Sequence, residues 1–214
     1  MTKNSLLPII LLSIFSFSAT GLGQETSGSS ETDETFFASV AGSYIFSGND
    51  DWDYAIGVDA KVGIYLTQNI RIFGLIGYSN WEVESEDLDL GFADLRIEGD
   101  AGIISAGGGV DFLVPVTDSS GLILTASVAY QFVSSNVDVS VETPFGSEKI
   151  TVDIDDAAAV YVGADYFFAI NKDLDVFFGG GYLFNVSEAD ITVEGADPEE
   201  TGFEGATVRV GLQF

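Results

Sequence analysis

Apolar side chains occupy every second position through most of the chain after residue 35. In each of eight segments the even-numbered residues are aliphatic, aromatic or small, and none is charged. Because successive side chains of an extended strand point to opposite faces, this period predicts eight β-strands, each with one apolar face. The segments are Phe36–Phe46, Ile56–Leu66, Ile70–Tyr78, Ile104–Val114, Leu122–Phe132, Ala158–Ile170, Leu174–Phe184 and Ala206–Phe214.

The odd-numbered positions of these segments carry glycines, polar residues and charges. The charged residues expected to form an interior network are Asp59, Lys61, Arg71, Asp111, Asp165 and Arg209. A charge is costly to remove from water, so mutual ion pairs are the expected solution if this face is enclosed. A path for protons or ions through the same groups is the functional alternative.

The connections between the segments differ in length at the two ends. Short turns are predicted at 67–69, 115–121 and 171–173, and longer connections at 47–53, 80–100, 134–156 and 187–204. Short turns at one rim and long loops at the other are typical of outer-membrane barrels, whose short turns face the periplasm. Apolar residues alternate along both arms of the third long connection, which predicts a hairpin that continues two strands beyond the membrane.

The alternating pattern alone leaves the orientation of the apolar face open. A soluble, lipocalin-like barrel would turn that face inward around a ligand, whereas a membrane barrel turns it outward to lipid. Aromatic residues cluster near the strand ends, as they do in the interfacial girdles of membrane barrels. The predicted girdle residues are Tyr44, Tyr78, Tyr130 and Tyr182 at one rim and Phe112 and Phe168 at the other.

The first residues of the chain have the pattern of a secretory signal peptide. Lys3 precedes an apolar stretch over 6–17, and small residues end at Gly23. The apolar stretch is shorter than the roughly 20 residues of a spanning helix, which favours a cleaved signal over a membrane anchor. We therefore predict a signal peptide at 1–23, a flexible acidic linker at 24–34 and the barrel domain at 35–214.

The last strand carries a further signal at its end. Its apolar face, formed by Val208, Val210, Leu212 and Phe214, resembles the terminal assembly signature of bacterial outer-membrane barrels. With the topology before it, the chain resembles a small eight-stranded outer-membrane barrel of the OmpA/OmpX type. The resemblance implies a monomer in the outer membrane of a Gram-negative-type bacterium, in contact with lipid and lipopolysaccharide and inserted by the barrel assembly machinery.

Acidic residues are concentrated in the long connections. The chain has a formal net charge of −27, and 24 of its 34 acidic residues lie in those four segments, against only Arg96 and Lys149. A solvated, self-repelling surface explains this pattern, while Ca²⁺ or Mg²⁺ binding is the sharper alternative, although no calcium-loop spacing is present. Its candidate ligands are Asp50, Asp51, Asp53, Asp87, Asp89, Asp155, Asp156, Glu199 and Glu200. A nucleic-acid partner is not expected at this charge.

The sequence argues against catalysis. The barrel enzymes that this fold brings to mind resemble one another in depending on histidine, and the chain has no histidine and no cysteine. Eight strands enclose a space that side chains roughly fill, so we expect a polar, plugged lumen without a resident cofactor. The predicted role is structural or in cell-surface interaction, such as envelope integrity or adhesion. A passive, low-conductance porin-like channel and a secreted lipocalin-like binder are the alternatives.

Overall fold

The computed structural model describes residues 36–49, 51–83, 86–89, 94–143, 146–187, 189–192 and 199–214. The predicted signal peptide and linker lie outside them. The strands are β1 (Phe36–Ser47), β2 (Trp52–Tyr65), β3 (Ile70–Val83), β4 (Glu86–Asp89), β5 (Asp94–Glu98), β6 (Asp100–Thr117), β7 (Ser120–Ser135), β8 (Val137–Thr143), β9 (Gly146–Ile154), β10 (Ala157–Asn171), β11 (Leu174–Ser187), β12 (Ala189–Thr192), β13 (Glu199–Thr201) and β14 (Gly205–Gln213). No helix of the described residues is long and apolar enough to cross a membrane.

Eight of the strands close into an antiparallel barrel. Their order around the wall is β1-β14-β11-β10-β7-β6-β3-β2. The predicted pairing of the last strand with the first is confirmed, since Val40 lies opposite Leu212. The terminal residue completes this seam through its backbone, because the Phe214 N–H donates to the Ala38 carbonyl at 2.8 Å and its carbonyl accepts from the Ala38 N–H at 3.1 Å. The predicted eight-stranded, all-β barrel is therefore confirmed.

The apolar face of the wall points outward. Even-numbered residues pair with even-numbered residues around the barrel, as Ile72 does with Val110, so each face keeps its chemistry from strand to strand. Val62 and Val210 are 64% and 59% exposed, whereas Arg71 and Asp111 on the other face are 2% and 0% exposed. An apolar exterior around a polar interior is the arrangement of a membrane-spanning barrel of the outer-membrane type, and it excludes the lipocalin-like alternative.

One short turn is shorter than the sequence suggests. The predicted connection at 115–121 is a two-residue turn at 118–119, because β6 continues through Pro115 and β7 begins at Ser120. Pro115, the first residue of the predicted connection, therefore lies in a strand. A register shift between Pro115 and Thr117 accommodates it, since proline has no N–H to give to a ladder.

Three of the four long connections contain strands in the described residues, although the sequence predicted them for only one connection. Here β4, β5, β8, β9, β12 and β13 form a six-stranded sheet that we call the collar. The predicted hairpin is its β8–β9 pair. Collar strands follow the same order as the barrel strands from which they continue, so the collar extends the wall past the barrel rim. Gly99 joins β5 to β6 with a φ of 145°, a conformation that glycine adopts without strain.

Candidate functional site

The barrel interior at the long-loop end is apolar. Trp52, Trp81 and Phe203, which we call the aromatic plug, are at most 3% exposed and lie with ring centroids 5.0–6.4 Å apart. Smaller buried residues of the wall and collar pack around them: Ile45, Ala55, Val83, Ala101, Ile103, Val137, Val152, Ile154, Ala157 and Ala189. The predicted polar lumen is therefore wrong for this end of the barrel, where apolar packing replaces polar groups.

Local backbone geometry places the aromatic plug. Trp52 has an even number, yet a register shift between Trp52 and Tyr54 turns it to the interior face. Its indole N–H donates to Thr201 Oγ1 at 3.2 Å, and the Thr201 hydroxyl donates to Asp51 at 2.7 Å. These bonds satisfy the buried indole and tie the first connection to the collar.

One ion cluster fills the interior toward the short turns. Asp111 is fully buried and accepts from Arg71 Nε at 2.9 Å and from the Thr125 hydroxyl at 2.6 Å. The ammonium of Lys61 lies 3.7 Å from the same carboxylate. Arg71 and Asp111 are direct cross-strand partners on β3 and β6, so the strand register itself produces this pair.

A second ion pair joins strands that are not neighbours. Arg209 on β14 makes a two-point contact with Asp165 on β10, across the intervening strand β11. Gly179 stands between them in the cross-strand row. A Cβ at Gly179 would collide with the Ala164 backbone carbonyl and would lie 2.6 Å from an Asp165 oxygen, so this position has room only for glycine.

Each of the interior cations Lys61, Arg71 and Arg209 lies against an aromatic ring. The Lys61 ammonium lies 4.3 Å from the centre of the Phe73 ring, and the Arg71 guanidinium lies 4.0 Å from that of Phe37. Arg209 lies 4.9 Å from the ring of Tyr161. Phe73, which blurs the inside-outside pattern of β3 in the sequence, is thus an interior residue that contacts a cation.

Asp59 is the predicted network member that the structure leaves without a direct partner. No hydrogen bond or ion pair joins it to another described residue, whereas the other five members are in ion pairs. It lines a cavity of about 120 Å³ between the ion clusters and the aromatic plug. Gln131 Oε1 and the Tyr161 hydroxyl also line this cavity, and neither has a hydrogen-bond partner among the described residues. The cavity is roomy and polar enough to hold water.

Side chains fill the barrel interior at both ends and leave little room for solutes. The aromatic plug fills the long-loop end, and Phe37, Arg71 and Phe177, at most 5% exposed, fill the end near the short turns. The cavity between these layers is small, and its charged walls are mostly paired with each other. Such an arrangement stabilises the barrel and gives no wide aqueous path.

Comparison with known proteins shows which solved structures have a similar fold. No protein-family model and no curated protein matches the sequence. The chain is similar to the structure of a major outer membrane protein from Thermus thermophilus, at 12% identity and a TM-score of 0.51, over 84% of this chain and 98% of that one. The fold is that of an outer-membrane β-barrel.

Two other solved structures resemble this outer-membrane barrel. Neisserial surface protein A matches at 11% identity and a TM-score of 0.48, over 83% of this chain and 94% of that one. The outer membrane protease OmpT from Escherichia coli matches at 10% identity and a TM-score of 0.43, over 89% of this chain and 99% of that one. The predicted lack of catalysis stays a prediction.

The predicted rim residues lie on the outer surface of the outer-membrane barrel. Tyr44 stacks on Tyr54 at 5.4 Å, and Tyr130 and Tyr182 each contact the phenylalanine two residues further along the chain. Tyr78, Phe112 and Phe168 also point outward, and the apolar face of the last strand, at Val208, Val210, Leu212 and Phe214, is exposed. Aromatic rings therefore lie where an interfacial girdle would need them.

The predicted cation ligands do not form a group in the described residues. No set of three acidic side chains close enough to hold a metal occurs there. Asp51 bonds to Thr201, and Asp156 accepts from the Val133 N–H and from the Tyr130 hydroxyl. Asp53 and Asp155 join no such set either. Asp50 lies outside the described residues, as do the side chains of Asp87, Asp89, Glu199 and Glu200.

The aromatic plug is the interior feature that the sequence did not predict, whereas Gln131 and Tyr161 lie on the polar, odd-numbered face as expected. Odd-numbered apolar residues do recur in the long connections, at Val137 and Val139 for example, and their alternation indicates an inner face. The same alternation that predicts the hairpin thus also places apolar side chains beside the aromatic plug.

Proposed function

We propose that this protein spans the bacterial outer membrane as a closed structural barrel that presents an acidic collar at the cell surface. The observation that carries the proposal is the filling of the interior by two distinct layers, the aromatic plug and the buried ion clusters around Asp111 and Asp165. A lumen that is filled by side chains leaves no continuous path for solutes. The proposed contribution is to envelope integrity and to contacts with external molecules.

A non-catalytic role is part of the proposal. The full sequence has no histidine or cysteine, so the side chains that most often act as a general base or a thiolate nucleophile are missing. The interior carboxylates Asp111 and Asp165 are each engaged by an arginine, Arg71 and Arg209 respectively. We also propose that the protein is a monomer and that the barrel assembly machinery inserts it. Lipid and lipopolysaccharide would then surround the wall.

Planar-bilayer recording tests the closed interior. The purified barrel, inserted into a bilayer at neutral pH, should give no stable unitary conductance, because the aromatic plug and the ion clusters lie in series along the interior. The matched variant is Trp81→Ala with Phe203→Ala, which removes most of the aromatic plug and should raise leak currents. A stable, reproducible unitary conductance of the unchanged protein would refute the closed barrel and favour the channel alternative.

A further inference from the structure

Lysine and arginine are absent from the outer face of the wall in the described residues. Three of the seven basic residues of the chain face the interior and are at most 8% exposed, namely Lys61, Arg71 and Arg209. The other four lie in the predicted signal peptide, in a short turn and on collar strands: Lys3, Lys172, Arg96 and Lys149. The wall strands themselves therefore offer no cation to a lipid headgroup at the rim where the wall meets the collar.

Exposed carboxylates occupy this rim instead. On β3 the outward positions pass from Ile76 and Tyr78 to Asn80 and then to Glu82, which is exposed. The exposed acidic residues near the ends of the wall strands are Asp51, Asp53, Glu82, Asp155 and Asp156. Charges act on each other over about 8 Å at physiological ionic strength, so these carboxylates repel a headgroup of net negative charge and attract a cationic one.

Glu82 forms the first of two tyrosine–carboxylate pairs at this rim. It lies opposite Tyr54 in the β2–β3 ladder and accepts a hydrogen bond from the Tyr54 hydroxyl. The Tyr54 ring stacks on the girdle residue Tyr44, with centroids 5.4 Å apart and ring planes 8° from parallel. Asp53, the preceding residue in the chain, is exposed and adds a second negative charge near Tyr54. An aromatic surface and carboxylates thus lie side by side.

Asp156 forms the second pair on a separate part of the rim. The Tyr130 hydroxyl donates to the Asp156 carboxylate at 3.2 Å, and the Tyr130 ring is 48% exposed. Phe132 packs edge-on against that ring with centroids 5.0 Å apart, and Asp155 is exposed beside Asp156. Strand β6 separates this pair from the first, because the wall order is β10-β7-β6-β3-β2. The rim therefore repeats one chemistry at two positions.

This combination of groups suits a primary ammonium. A cation is attracted to the face of an aromatic ring, and an ammonium also donates hydrogen bonds to carboxylates. A quaternary ammonium keeps the attraction to the ring but has no N–H to donate, and a headgroup charged only through its phosphate meets carboxylates that repel it. Acyl chains in the apolar belt hold an amine-bearing headgroup at this height, which favours a lipid over a soluble amine.

We propose that the two tyrosine–carboxylate pairs bind membrane lipids whose headgroups end in a primary amine. The inference rests on the proposed place in the outer membrane and names the lipid chemistry that surrounds the collar side of the wall. The ammonium lies on the ring face of Tyr54 or Tyr130 and donates to Glu82 or Asp156, while the acyl chains cover the apolar wall below. Each barrel binds one such lipid at each pair.

Native mass spectrometry of the detergent-solubilised barrel tests the proposal, because it counts bound lipids. The probes are phosphatidylethanolamine, phosphatidylcholine and phosphatidylglycerol with identical acyl chains, so the first two differ only in the methyl groups on nitrogen. We expect two binding events for phosphatidylethanolamine, each about threefold tighter than for phosphatidylcholine. Equal binding of these two lipids, or tighter binding of phosphatidylglycerol, would overturn the proposal.

Single substitutions assign each binding event to its pair. Glu82→Gln and Asp156→Asn should each remove one event and the double variant both, since an amide is neutral but keeps an oxygen that accepts a hydrogen bond. Asp118→Asn and Asp173→Asn, in short turns at the opposite rim, remove the same charge and should keep both events. Two events in the double variant, with unboiled samples at the gel mobility of a folded barrel, would refute the assignment. A stable unitary conductance would refute the proposed closed barrel without altering these counts.

Discussion

Removal of the Asp111 carboxylate should cost far more stability than removal of the Asp59 carboxylate. Both residues are interior aspartates, but Asp111 is fully buried and accepts from Arg71 and Thr125 with Lys61 nearby, whereas Asp59 has no direct partner among the described residues. Asp111→Ala leaves the guanidinium of Arg71, 2% exposed, without its counterion. An uncompensated buried charge of this kind costs about 3–5 kcal/mol.

Urea unfolding in phospholipid vesicles measures this difference. The emission of Trp52 and Trp81, the only two tryptophans, follows the opening of the long-loop end, and the gel mobility of unboiled samples follows the whole barrel. Asp59→Ala is the matched control, and we expect it to cost about 1 kcal/mol or less. The double variant Asp111→Ala with Arg71→Met removes both charges of the closest pair and should recover part of the loss, since only Lys61 then lacks the Asp111 carboxylate.

The reasoning fails if Asp111→Ala and Asp59→Ala lower the free energy of unfolding equally, because the ion cluster would then contribute nothing beyond a generic polar interior. It also fails if the double variant is as unstable as Asp111→Ala alone. That result would trace the loss to the missing Thr125 hydrogen bond or to a cavity rather than to the uncompensated guanidinium.

Three further outcomes follow from the interior packing and the seam. Phe203→Ala should cost about 3–5 kcal/mol and shift tryptophan emission to the red, measured by urea unfolding, whereas unchanged emission would contradict the aromatic plug. Gly179→Ala should lower the midpoint of thermal unfolding because its Cβ collides with the Ala164 carbonyl and crowds Asp165 beside Arg209, and Gly42→Ala, whose added Cβ meets nothing within 4 Å, is the control. Deletion of Phe214 should slow insertion into vesicles more than Phe214→Ala does, since only the deletion removes the backbone bonds to Ala38; equal rates would assign the effect to the ring.

The barrel strands were predictable from the sequence because the alternation of apolar and polar residues is visible within each strand by itself. A charge on the lipid side is expensive within the membrane core, so every strand repeats the same alternation. The ends of Phe36–Ser47 and Ala157–Asn171 lie within one residue of the predicted segments. The ion pairs were predictable as a set but not as pairs. Arg71 meets Asp111 because of strand register, while Arg209 reaches Asp165 across a strand only because Gly179 has no side chain.

The collar was harder to predict because its alternation is weaker and its face is not constant along the chain. Beyond the membrane no lipid penalises a polar residue, so the outer positions there carry no uniform signal. Trp52 gains its interior position from a register shift that no local pattern indicates. The aromatic plug depends on contacts between Trp52, Trp81 and Phe203, which are far apart in the sequence and meet only when the barrel is closed.

The passage from β9 to β10 determines where foreign sequence can be inserted. Val152 and Ile154 face inward on β9, whereas Ala157 and Ala159 face inward on β10, so the inner face moves from even to odd numbers at 155–156. At this change of face the Asp156 side chain accepts the Val133 N–H of the neighbouring strand. One residue added at this point would exchange the inner and outer faces of one arm, but an epitope placed beside Gly146, where β9 begins, would leave both arms in phase. We therefore expect the β8–β9 hairpin to tolerate an inserted segment at its tip but not at its base.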